Sequence, residues 1–110
     1  MGTAALSQAG VRRMEARKDV PALMKALRYR RDEGVRSQAA EALAEVKNGR
    51  AVGALMGALN DASWSVRLVV TEALGAIGDP RAVKPLVQLL RNKNWLLRSQ
   101  AAEALGNIWK

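Results

Sequence analysis

The sequence predicts an all-α fold, an α-solenoid built from repeated helix pairs. Three observations lead there. Glu-Ala-Leu occurs at Glu41-Ala42-Leu43, Glu72-Ala73-Leu74 and Glu103-Ala104-Leu105, 31 residues apart each time. Apolar residues recur at helical spacing along the chain, and no stretch shows the sustained alternation of a half-buried strand. Apolar residues make up 49% of the 110, yet the aromatics are only three Trp and one Tyr. That suits closely packed helices better than a β-sandwich. A fixed period of roughly 20–50 residues marks an architecture in which each unit buries its apolar face only against its neighbours.

The elements follow in chain order. Residues 3–17 fit half a unit: a lone helix over 3–16, with Val11 and Met14 falling where Leu43 and Val46 fall once a one-residue shift is allowed. Repeat 1 spans 18–47. Its first helix carries Val20, Leu23, Met24 and Leu27, the i, i+3, i+4, i+7 stripe of an amphipathic helix. Its inner turn, within "RYRRDEG", is one residue longer than in the other repeats. Repeat 2, over 48–78, has the same stripe at Val52, Leu55, Met56 and Leu59, and a second helix carrying Val66, Val70, Ala73, Leu74 and Ile77. Gly78 ends it. Repeat 3, over 79–110, opens on Asp79-Pro80, a cap followed by an N1 proline, and carries Val83, Leu86, Val87 and Leu90. Pro85, inside that helix, is expected to bend it. The second helices of the three repeats each follow a good N-cap residue: Asp32, Ser63 and Asn94. The total is about seven helices in one domain over 1–110.

The register extends beyond Glu-Ala-Leu, with Val35-Arg36, Val66-Arg67 and Leu97-Arg98 also in phase. Together with Asp79-Pro80-Arg81-Ala82-Val83, Pro85-Leu86 and Glu103-Ala104-Leu105-Gly106, these marks resemble the HEAT-like repeat of the phycobilisome-lyase type, over about residues 18–110. Repeat 1 departs from the pattern at its end, where Asn48-Gly49 stands in place of Asp-Pro. The resemblance implies a protein-binding scaffold or, as an alternative, an accessory subunit of a bilin lyase. It also implies that the second helices line the concave face.

Arg36, Arg67 and Arg98 form a column at fixed repeat positions. A structural role is expected, each tying its helix start to an Asp, Asn or carbonyl of a neighbouring turn, with Asp79 as a structural cap. Ala42, Ala73 and Ala104 should let helices approach closely, while Glu41, Glu72 and Glu103 point outward as a solvated row rather than as catalytic carboxylates. Phasing the second helix of repeat 2 at 100° per residue turns Leu68, Glu72, Gly75 and Ala76 away from the core, with Val69 at the edge. A binding surface is therefore expected on this side. Its apolar centre is Leu68 and Val69 with Trp64 and Trp95, the last two either lying over an adjacent turn or anchoring a partner. Ser37, Gln38, Glu41, Glu72, Ser99, Gln100, Glu103 and Asn107 form its polar rim.

Composition narrows the function. There is no Cys and no His, which excludes disulfides, thiol catalysis and the usual structural zinc sites. No cofactor and no enzymatic activity are expected. No run approaches a membrane span, and "MGTAALSQAG" lacks the basic start and apolar run of a signal peptide, so a cytoplasmic protein is expected. The net charge of +8 is lopsided: residues 1–31 carry eight Lys/Arg against Glu15 and Asp19, the remainder ten against eight. Arg12, Arg13, Arg17, Lys18, Arg28, Arg30 and Arg31 thus offer a second alternative, binding of an anionic polymer or acidic protein. Nucleic acid is not favoured, because Tyr29 is the sole aromatic among them and no recognised motif is present. The last partner expectation concerns repeat 3, where Leu96, Ile108 and Trp109 should expose apolar surface. A two-fold homodimer through this repeat, or a longer stack, would cover it.

Overall fold

The computed structural model describes residues 6–110. Among them are seven α-helices and no strand. They are α1 (Gln8–Ala16), α2 (Val20–Ala26), α3 (Glu33–Val46), α4 (Val52–Ala58), α5 (Trp64–Ile77), α6 (Val83–Leu89) and α7 (Trp95–Ile108). The described part measures 46 × 26 × 17 Å. α1, α3, α5 and α7 lie side by side in one layer, and α2, α4 and α6 each pack on the second helix of their own repeat. One core runs the length of the stack. Val11, Leu23, Val35, Leu43, Leu55, Val66, Leu74 and Leu86 are all fully buried in it.

The helix starts are decided locally. Asp32 accepts from the Gly34 and Val35 N–H groups at 2.8 and 3.2 Å. Ser63 accepts from Val66 at 3.4 Å, and Asn94 from Leu96 at 2.9 Å. Each side-chain oxygen satisfies amides that have no partner within the helix. The half-repeat helix starts later than expected. Ser7 caps it by accepting from Gly10 N–H, and α1 begins at Gln8. Residues 3–5 of that expected helix lie outside the described residues.

The joints between repeats share one backbone solution. Lys47 and Gly78 close α3 and α5 in the left-handed conformation, at φ 53° and 76°. Asn48 and Asp79 then accept from the N–H two residues on, at 2.8 and 2.9 Å, and a 3-10 turn follows, Gly49–Ala51 or Pro80–Ala82. The first helices of repeats 2 and 3 both open on such a 3-10 turn and pass directly into α4 or α6, with Ala54 in repeat 2 where repeat 3 has Pro85. Pro85 sits in the first α-helical turn, where a missing N–H costs least.

Candidate partner-binding face

The three arginines sit one residue inside the capped part of α3, α5 and α7 and turn back over the inner turns. Arg36 Nη1 donates to the Tyr29 and Arg30 carbonyls, both at 3.0 Å. Arg67 Nη1 donates to the Asp61 carbonyl at 2.6 Å and to that of Ala62. Arg98 Nη1 does the same with Asn92 and Lys93, at 2.8 and 3.2 Å. Arg36 alone also crosses to the next repeat. Its Nε and Nη2 make a bidentate pair with the Asp61 carboxylate at 2.8 and 3.1 Å, with only 11% and 10% of the two side chains exposed. Burial pushes the Asp61 carboxyl up. The Arg36 fork, the Ser63 N–H and the charges of Arg36 and Arg67 outweigh that and hold it below the usual carboxylate range. Asp79 works nearer the surface. Arg81 and its backbone N–H donate to it and draw its pKa down to about 2. Arg81 Nη2 also reaches the Gly49 carbonyl of the preceding joint at 2.9 Å.

On the outward side of the second helices, Glu41, Trp64, Glu72, Trp95, Ser99, Glu103 and Asn107 are exposed. They stand on α3, α5 and α7, which are neighbours in the stack. Ser37, Gln38, Leu68, Val69 and Gln100 are half-buried instead. The expected exposed pair Leu68–Val69 is thus corrected: Val69 packs against the core. The Oε1 atom of Gln38 is buried without a hydrogen-bond partner, so this residue is no simple rim residue. Gly75, expected to face away, is buried. A Cβ there would lie 2.8 Å from both Cα and Cβ of Ala104. Phasing missed this because α5 has a neighbour on each flank, and small residues cover the second flank. Thr71, another such flank position, is fully buried and satisfies its hydroxyl on the Arg67 carbonyl at 2.7 Å.

Sequence reasoning also missed a groove of about 710 Å³ in the other layer, between α2 and α4. Met24, Leu27, Ala54 and Ala58 line it, with Arg28 and Arg30 alongside. The signal lay in Gly53 and Gly57, where repeat 3 has Lys84 and Gln88. None of the residues placed on the partner-binding face lines this groove. Among the described residues no three acidic side chains gather as a metal site would need, and no helix is long and apolar enough to cross a membrane.

Paired helices in register, stacked in two layers with arginines holding the inner turns, define an α-solenoid. The chain belongs to the HEAT repeat family, whose model matches residues 20–107. No curated protein matches it.

Proposed function

We propose that the chain is a non-enzymatic scaffold that binds another protein through the outward face of α3, α5 and α7, the concave side of the stack. The observation that carries this reading is the pair Trp64 and Trp95. They occupy the same position in adjacent repeats and leave 48% and 65% of their surface open to water. Large aromatic side chains standing clear of a core are the residue type that dominates binding energy when a partner desolvates them. Glu72, Ser99, Glu103 and Asn107 supply polar groups around them, as a rim does around an interface centre. HEAT repeats serve generally as protein-interaction scaffolds, which supports the class of function.

The test is affinity capture from the source cells followed by mass spectrometry, with the wild type and the Trp64→Ala/Trp95→Ala variant side by side. A partner retained by the wild type and lost by a variant of unchanged helicity supports the reading. A partner retained equally by both removes it. A bilin-lyase role, the finer reading drawn from the sequence marks, predicts copurified pigment visible by absorbance. Exposed Arg12, Arg13, Arg17, Lys18, Arg28, Arg30 and Arg31 support the anionic-polymer alternative, which predicts affinity that falls steeply with salt.

A further inference from the structure

The basic excess of the first 31 residues and the groove between α2 and α4 meet in one place. Both walls of the groove belong to repeats 1 and 2, so a further repeat stacked at either end would leave it open. Met24 and Leu27 form one side, and Gly53, Ala54, Gly57 and Ala58 of α4 form the other. A Cβ added at Gly53 or Gly57 would meet nothing within 4 Å, and neither glycine has a positive φ. Neither the backbone nor a neighbour in the chain therefore calls for glycine there, although glycine weakens a helix. The missing side chains leave room for another element to lie directly against α4. Repeat 3 carries Lys84 and Gln88 at the same positions.

The free charge at the groove is of one sign. Arg28 and Arg30, in the turn that follows α2, line it and are exposed. Among the described residues neither takes part in an ion pair. Asp61 is the one acid among the lining residues, and the Arg36 fork already holds both of its oxygens. Lys25 and Arg31 are exposed on the same stretch of chain, and α4 carries no charge at all. Complementarity therefore asks for an occupant that is anionic beside Arg28 and Arg30 and apolar along the floor.

We propose that this groove docks an acidic amphipathic helix of a partner protein. The walls favour a helix over an extended peptide. α2 and α4 spend their backbone groups on their own helical bonds and offer no sheet edge to pair with. A helix brings a backbone that is already satisfied. Its side chains at i, i+3, i+4 and i+7 span about 10 Å, the length of the seven-residue α4. The apolar side of the partner helix meets Met24, Leu27, Ala54 and Ala58, with its closest approach at Gly53 and Gly57. Its carboxylates face Arg28 and Arg30. The apolar floor sets the groove apart from a bare polyanion site, since phosphate groups gain nothing from it. A second copy of this chain is a poor match, because it carries 18 Lys/Arg against ten Asp/Glu. The groove lies in the other layer from Trp64 and Trp95, and its occupancy does not depend on them.

The probe is a synthetic acidic helix of about 18 residues, with Leu along one face and Glu elsewhere. Two control peptides accompany it, one with Lys for Glu and one with Ser for Leu. Calorimetric titration should show binding of the acidic peptide, with both controls at least tenfold weaker. The double variant Gly53→Gln/Gly57→Gln fills the groove with side chains and should weaken the acidic peptide at least tenfold. Open space around both positions leaves the fold unstrained, so its melting temperature should stay level or rise. Arg28→Gln/Arg30→Gln should weaken binding about tenfold. Arg91→Gln, which removes the same kind of charge from repeat 3, should change it less than twofold. Absent binding by the wild type overturns the proposal, as does indifference to either double variant or a comparable loss from Arg91→Gln. Equal binding of the Ser peptide overturns it in favour of a polyanion surface. A wild-type dimer that Gly53→Gln/Gly57→Gln converts to monomer in light scattering also overturns it, by making a second copy the occupant.

Discussion

The junction of repeats 1 and 2 and the junction of repeats 2 and 3 have the same backbone but different adhesives. The first is tied at its inner end by charge: Arg36 grips Asp61 across 25 residues of sequence in a mostly dry pair. It has Ala44 where the second has Gly75, and its joint puts Lys47 into the left-handed region. The second has Asn92 where the first has Asp61, and Asn92 is occupied with the N–H of Asn94 at 2.8 Å. Close contact takes over instead, with Gly75 admitting the backbone of Ala104. Gly78 makes the left-handed turn without a Cβ penalty. A repeat fold thus fixes where an interface must form, while each interface is free to use ion pairing or packing.

The strongest way to break the first junction is Asp61→Ala. It leaves the Arg36 charge without its carboxylate in a nearly buried place, and the expected loss is about 3 kcal/mol in chemical denaturation. The matching Asn92→Ala should cost well under half of that; equal losses would erase the contrast. Gly75→Ala breaks the second junction, since its methyl has no room beside Ala104. A loss of about 2 kcal/mol is expected from overpacking. Gly106→Ala serves as the control and should be neutral or slightly stabilising, because the surroundings are open there.

Lys47→Gly sharpens the comparison in the other direction. It gives the first joint the residue that the second already has, and a gain of about 0.5–1 kcal/mol is expected from relief of the left-handed strain. An unchanged melting temperature would show that the two joints are equally relaxed.

The smallest effect is a pH dependence confined to the second joint. The pKa of Asp79 is drawn down from 3.8 to about 2 by the Arg81 side chain and backbone N–H. A depressed carboxyl stabilises the fold above the unfolded value, and that contribution disappears as pH falls from near 4 through about 2. In that window the unfolded chain binds the proton first. The stability difference between wild type and Asp79→Asn should therefore be level above pH 4 and shrink toward pH 2. A difference independent of pH would detach Asp79 from Arg81. Asp61 titrates in the same direction in both proteins, so the comparison cancels it.

The limits of sequence reading can be traced to particular residues. Asp32, Ser63 and Asn94 were legible as caps, and Arg36, Arg67 and Arg98 as a column, because caps and columns repeat at a fixed period. Gly75 and Thr71 were not. An apolar stripe reveals only the flank that carries large apolar residues, and these two lie on a flank buried with small ones. Leu68 and Val69 were placed too far out for the same reason. The groove between α2 and α4 was hidden because two glycines in a seven-residue helix read as weak helix formers rather than as missing side chains.

The sequence by itself determined the repeat period, the helix pairs and the way each helix begins. These depend on groups within a few residues of one another, whose geometry the chain carries wherever it is placed. Only the tertiary structure decided which flank of α5 is covered, that Arg36 finds Asp61, and that Gly75 admits Ala104. Those outcomes depend on the distance and rotation between helices of different repeats. The contacts that set them join residues about 25–30 apart, beyond the reach of any local pattern.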